Sequence, residues 1–281
     1  VTSAAAAVPV PVPVPMPVPV PMPVPMPLPV MLLHGQPGGG DDWDALRPLL
    51  DGLRVLAPDR PGYDGSLAGG FWHNADAVVR YLDAAGIERA VVVGYSWSGG
   101  VALATALRAP DRVAGLALVA SVGTRAAYGR VDQLIATRAG GAVFATVMRG
   151  LGPRLAEVSA RNVGSKLGPA ELEHVRAILQ RSSRGPHWYA WRVEQAAMVR
   201  ETPALERRLG EIMVPAVVLA GRADRSVPVQ AGRELAHRLG NAVLREVDGG
   251  HLLLLEHPAA VATAICEAVR RATDESGRRS P

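Results

Sequence analysis

The segment Gly94-Tyr95-Ser96-Trp97-Ser98-Gly99-Gly100 holds the residues best suited to chemistry. An apolar run, Ala90–Val93, leads into it, and a helical pattern, Gly100–Arg108, leaves it. Glycine and serine around Ser96 let the chain turn sharply and expose a hydroxyl at the end of a strand. The N–H of Trp97, at the start of the helix, faces the place where an oxyanion would form. Ser98 is a second candidate nucleophile, but Ser96 sits where the apolar run ends and is preferred. Serine is a weak nucleophile that needs a base, and the base needs an orienting group. His251 is the candidate base, because it follows Ala242–Val247 and the flexible Asp248-Gly249-Gly250. Asp224 is the candidate orienter, directly after the apolar run Val214–Ala220. The chain order Ser, Asp, His, each past its own strand, makes the three more persuasive together than singly. A fourth element, Leu33-His34-Gly35-Gln36-Pro37-Gly38, ends the first strand. Gln36 is its expected oxyanion donor, since Pro37 has no N–H to give. His34 is expected to be structural.

The elements that must position these residues can be outlined from pattern. Strands are expected at Val30–Leu33, Val55–Ala57, Ala90–Val93, Val113–Ala120, Val214–Ala220 and Ala242–Val247. Helical spacing is expected at Asp42–Leu53, Ala75–Ala85, Gly100–Arg108, Gln230–Leu239 and Ala259–Ala272. Strands apolar on both faces and alternating with helices imply an α/β fold with a mostly parallel sheet covered on both sides. Such sheets bind ligands beyond the carboxyl ends of their strands, where all three residues fall. Residues 122–213 carry several helical patterns and no convincing strand, which suggests a helical lid inserted into a core of residues 30–121 and 214–281. Residues 1–29 form a leader that from Val8 onward alternates proline with Val, Met or Leu and contains eleven of the 24 prolines. Its local preference is an extended polyproline conformation without strong packing.

These blocks together resemble the α/β-hydrolase superfamily, in its lid-bearing branch with a serine nucleophile. The resemblance rests on His34–Gly38, on Pro58-Asp59-Arg60-Pro61-Gly62-Tyr63, on Gly94–Gly100, on Gly221–Pro228 around Asp224, and on Gly250-His251 followed by Glu256-His257-Pro258. It covers about Val30 to Thr273. The sequence departs from the family's pattern in placing Ser98 where a second glycine is usual, and in having the proline leader where two strands usually precede the His-Gly loop. The resemblance implies an esterase-like acyl transfer to water through Ser96, His251 and Asp224, with no cofactor and no metal. A serine at position 96 argues against the aspartate-nucleophile dehalogenases and epoxide hydrolases of this fold. Lactonases, carbon–carbon bond hydrolases, cofactor-free peroxidases and non-catalytic ligand-binding proteins remain alternatives. Tyr128, Phe144, Trp188 and Trp191, all within residues 122–213, are candidates for an apolar acyl pocket, or for packing of that segment's own core.

Composition narrows the partners. With 48% hydrophobic and 20% charged residues, the 281-residue chain is globular in type. One cysteine, Cys266, excludes an intrachain disulfide framework and points to a reducing, cytoplasmic setting. The net charge of +4 and pI near 9.7 come from scattered arginines without a like-charged run, so a small-molecule substrate is expected rather than nucleic acid. No proline-free apolar run reaches the roughly 20 residues that span a bilayer.

Overall fold

The computed structural model describes residues 27–151, 158, 162–182 and 187–279. Residues 1–26 of the proline leader lie outside these. Six runs of Val, Leu and Ala form β1 (Val30–Leu33), β2 (Val55–Leu56), β3 (Ala90–Tyr95), β4 (Val113–Val119), β5 (Ala216–Gly221) and β6 (Ala242–Val247). They pair in the order β2-β1-β3-β4-β5-β6, every neighbour parallel. The helices in chain order are α1 (Phe71–Ala84), α2 (Ser98–Arg108), α3 (Arg130–Ile135), α4 (Arg138–Leu151) and α5 (Pro169–Ser182). They continue as α6 (His187–Arg207), α7 (Val229–Arg238), α8 (Leu253–Glu256) and α9 (Pro258–Arg279).

The strands are apolar throughout because both faces of the sheet are covered. One face sends Met31, Leu33, Val92, Leu116 and Val218 against α1, α2 and α7. The other sends Val30, Leu32, Val93, Ala117 and Leu219 against α9 and the Trp43–Leu46 segment. Alternate residues of one strand thus enter two separate cores, as the two-residue period of a strand requires.

The connections after β1 and β3 leave in opposite directions, since β1 lies between β2 and β3 and β3 lies between β1 and β4. Their carboxyl ends therefore border a crevice at the point where the strand order reverses. The His34–Gly38 loop and the Ser96 turn flank that crevice.

Most elements fall where the pattern placed them, with ends moved by up to four residues except at α9, which runs seven residues further. The exception is Asp42–Leu53, which forms two 3-10 turns, Gly40–Trp43 and Arg47–Leu50, in place of one α-helix. Pro48 cannot donate to the preceding turn, and Gly52 takes a left-handed φ of 82° that ends the second. Among the described residues, the segment between β4 and β5 consists of the 3-10 turn Arg125–Ala127, α3 to α6 and connecting loops. No helix there or elsewhere among the described residues is long and apolar enough to cross a membrane.

Candidate active site

β3 ends at Tyr95, and the next residue, Ser96, has a φ of 54°, in the left-handed region that a side chain rarely adopts. Small neighbours make that turn possible. A Cβ on Gly94 would lie 2.5 Å from the carbonyl oxygen of Ser98, and one on Gly99 would lie 2.3 Å from the Ser121 Cβ. The strand thus reverses directly into α2, and the Ser96 hydroxyl is left at the carboxyl edge of the sheet. The Ser98 hydroxyl has a different fate: it is fully buried and donates to the carbonyl of His34.

Ser96 Oγ is 2.8 Å from His251 Nε2, and His251 Nδ1 is 2.8 Å from Asp224 Oδ2. The other carboxylate oxygen of Asp224 accepts the backbone N–H groups of Ser226 and Val227, both at 2.8 Å. The aspartate is thereby fixed by its own loop after β5. The His251 backbone is held from two sides, by its N–H donating to Val163 and by its carbonyl accepting from the Tyr95 hydroxyl. The Tyr95 ring also stacks on the imidazole, with centroids 5.8 Å apart. Burial pushes the Tyr95 phenol well above its usual range, so it stays a neutral donor. His257 sits between α8 and α9 and meets the carbonyl of Asp248.

Gln36 and Trp97 approach Ser96 from the two loops that flank the crevice. Among the described residues, neither backbone N–H donates to a protein acceptor. The side chain of Gln36 is used elsewhere: its Nε2 donates to the carbonyl of Trp191 on α6 at 2.7 Å. His34 is structural in its contacts. Its Nε2 accepts the N–H of Arg60, so its Nδ1 carries the proton toward the Gly35 carbonyl. Burial and the nearby Arg60 guanidinium hold its pKa well below the usual histidine value.

A cavity of about 360 Å³ opens over Ser96 and His251. Its walls are largely apolar, with Val122, Ile135, Ile178, Leu179 and Met198 contributing from four different segments. Phe144 and Trp191 line it, as the sequence suggested, and their rings stack 4.9 Å apart. Tyr128 and Trp188 do not line it. Trp188 lies one turn before Trp191, is buried, and packs edge-on against that ring at 5.5 Å. Tyr128 packs on the core formed with α1, α2 and α7.

Several residues at the site escaped the sequence reading. Arg60 is buried under the crevice and donates to the carbonyls of His34 and Gly35 and to Glu194 of α6. Only its place in the Pro58–Tyr63 block hinted at importance; Glu194 gave no hint at all. Asp42 also lines the cavity. Its Oδ2 accepts the N–H of Gly39 at 3.2 Å, while its Oδ1 is buried without a partner. Burial raises the Asp42 pKa from the ordinary 3.8 to about 7, a rise that the Gly39 N–H and, more weakly, Arg181 and Arg60 only partly oppose and to which Asp41 adds. His174 and Arg181 stand 4.0 Å from Oδ1, too far for a hydrogen bond. The folded chain therefore binds a proton here that the unfolded chain has already released. The stability from this group is complete below about pH 4 and is lost as pH rises through about 7. Asp42→Asn should accordingly gain on wild type in thermal midpoint as pH is raised across that window. A gap between the two that does not change with pH would contradict this account.

Residues 29–258 match the family described as alpha/beta hydrolase fold, and the chain belongs to that family. Three curated relatives illustrate its range. The dihydrolipoyllysine-residue acetyltransferase component of acetoin cleaving system from Cupriavidus necator is 46% identical over 99 residues, 34% of this chain and only 26% of that protein. The 2-hydroxymuconate semialdehyde hydrolase of Pseudomonas sp. (strain CF600) is 28% identical over 84% of each chain. The pimeloyl-[acyl-carrier protein] methyl ester esterase of Aromatoleum aromaticum is 30% identical over 86% of this chain and 98% of that one. Among solved structures, "Est816 as an N-Acyl homoserine lactone degrading enzyme" superimposes with a TM-score of 0.68 at 27% identity, covering 85% of this chain and 92% of that one.

Proposed function

We propose that the chain is a serine hydrolase that cleaves a small acyl ester with an apolar acyl group through a covalent acyl-enzyme. The observation that carries this is the pair of 2.8 Å contacts joining Ser96, His251 and Asp224 at the floor of a mostly apolar cavity. Ser96 Oγ attacks the carbonyl carbon as His251 Nε2 takes its proton, and the imidazolium that forms is stabilised by Asp224. The carbonyl oxygen becomes an oxyanion between the N–H groups of Gln36 and Trp97, each donor in such sites being worth about 2.7–4 kcal/mol. His251 returns the proton to the leaving alcohol. Water, activated by the same imidazole, then releases the acid and restores Ser96. The helical segment between β4 and β5 acts as the lid that shapes the acyl pocket. The only partner this reading requires is a small-molecule substrate.

Turnover of p-nitrophenyl esters of increasing acyl length tests this. Each methylene buried in the cavity should raise kcat/KM about fourfold, at roughly 0.8 kcal/mol per methylene, until the cavity is full, after which the rate falls. A flat profile would remove the apolar acyl pocket from the proposal. A second reading, carbon–carbon bond hydrolysis at the same serine, draws on the 28% identity to the 2-hydroxymuconate semialdehyde hydrolase. Turnover of a vinylogous diketone in preference to every ester would favour it.

A further inference from the structure

The stripe of α6 that faces the cavity reads Trp191, Gln195, Met198, spaced four and three residues apart as one helical face demands. Gln195 is the one polar member of that stripe, and only 5% of it is exposed. Burying an amide among apolar side chains is costly unless its hydrogen bonds are made. One is made within the protein. Gln195 Nε2 donates to Asp132 Oδ1 at 3.2 Å, and Asp132 Oδ2 is fixed by the N–H of Gly129 at 2.9 Å. A carboxylate can only accept, so this contact settles which end of the amide is which. The amide oxygen, Oε1, is turned away from Asp132 and accepts no hydrogen bond from any described residue.

Two further side-chain donors at the cavity are committed in the same way. Its other side-chain amide, Gln36, spends its donor on the Trp191 carbonyl. The Tyr95 hydroxyl spends its proton on the His251 carbonyl. The side-chain amide donors of Gln36 and Gln195 are committed within the protein and the Gln195 amide oxygen is left over, while the uncommitted backbone N–H groups of Gln36 and Trp97 belong to the Ser96 end of the cavity. A charged donor on the ligand fits poorly, because the walls are apolar and Arg181 and His174 already stand 4.0 Å from the Asp42 carboxylate. A neutral donor fits well.

We propose that the cavity selects substrates whose acyl group carries a neutral hydrogen-bond donor, a hydroxyl or an amide N–H, and that Gln195 Oε1 receives it. Asp132 is the positioning residue that holds the amide in that orientation. The selection rests on the reading of Ser96 as the nucleophile that acts on the ester bound there.

The test uses p-nitrophenyl hexanoates bearing a hydroxyl at carbon 2, 3 or 6, each paired with its O-methyl ether. The ether keeps the acceptor and the polarity but removes the donor. Wild type should prefer the hydroxyl member by about tenfold in kcat/KM at one of the positions, the effect expected of a single buried hydrogen bond. Gln195→Met should bring that ratio close to one. In Asp132→Asn the new carboxamide can donate to Gln195 Oε1 and turn its NH2 toward the cavity, so the ratio should fall below one. A merely structural role for Asp132 would lower both members of each pair alike, without inverting their ratio. A wild-type ratio near one at every position, or a preference that survives Gln195→Met, would overturn the proposal. If Gln195→Met does not fold, the wild-type pairs and Asp132→Asn decide the matter. If wild type hydrolyses none of the esters, the serine-hydrolase reading falls; calorimetric binding of the same pairs to wild type then decides the role of Gln195 on its own.

Discussion

Ser96→Ala is expected to abolish labelling by a fluorophosphonate probe and to lower ester turnover by about 10⁴- to 10⁶-fold, while Ser98→Ala still labels. The magnitude follows from the way such residues act together. Without the hydroxyl, His251 has no nucleophile to activate, and what remains is the contribution of binding and of the oxyanion donors. The contrast between the two serines follows from their contacts. Ser96 Oγ meets an imidazole at the cavity floor, whereas the Ser98 hydroxyl is fully buried and committed to the carbonyl of His34. Probe labelling followed by mass spectrometry checks the first part, and kcat on the best ester of the chain-length series checks the second. Labelling that persists in Ser96→Ala and disappears in Ser98→Ala would move the nucleophile by two residues and require a different path for its proton.

The turn at Ser96 was legible in the sequence because its cause is local. A strand that reverses into a helix within two residues needs small side chains, and Gly94, Ser98 and Gly99 supply them. The two partners were legible for a related reason. Each follows an apolar run that can only be a buried strand, and parallel strands bring their carboxyl ends to one edge. The contacts that hold the His34–Gly38 loop were not legible. Arg60 and Glu194 are 134 residues apart, and neither residue type nor spacing joins them. Gln195 carried no signal in the sequence, because only the fold brings Asp132 of α3 to it. The aromatic residues show the same limit. The sequence showed that five of the twelve aromatic residues lie between β4 and β5. Which of them reach the cavity depends on where along α6 the cavity ends, and Trp188 falls one turn beyond it. The Asp42–Leu53 segment failed for a local reason, since helical spacing was allowed to outweigh Pro48 and Gly52.

Glu194→Ala is expected to cost about 3–5 kcal/mol of folding stability, a large part of the roughly 5–15 kcal/mol typical of a folded domain. The side chains of Arg60 and Glu194 are only 1% and 0% exposed. Glu194 also accepts from the Tyr63 hydroxyl at 2.9 Å, and the Arg60 guanidinium lies over the Trp97 ring at 4.7 Å. Burial pushes the Glu194 carboxyl up, against the pull of Arg60, which marks how strongly this carboxylate depends on its partner. Removing it leaves a guanidinium buried without an anion, the costly half of a broken pair. Removing both charges together, as Arg60→Met with Glu194→Met, should recover most of that loss, because an apolar pair of similar volume can replace a buried ion pair. Urea unfolding of the single and double variants measures both effects. Activity should not recover with stability. Arg60 donates to the carbonyls of His34 and Gly35, at 3.0 and 2.8 Å, and thereby fixes the loop that presents the Gln36 N–H. The double variant should therefore fold nearly as well as wild type yet keep a kcat lowered by about 10- to 100-fold, up to the low end of the roughly 100- to 1,000-fold that outright loss of one oxyanion donor costs, since the proposed Gln36 donor would be misplaced rather than removed. A double variant as unstable as Glu194→Ala would show that packing rather than charge pairing governs this network. A double variant with full kcat would show that the loop holds its shape without Arg60.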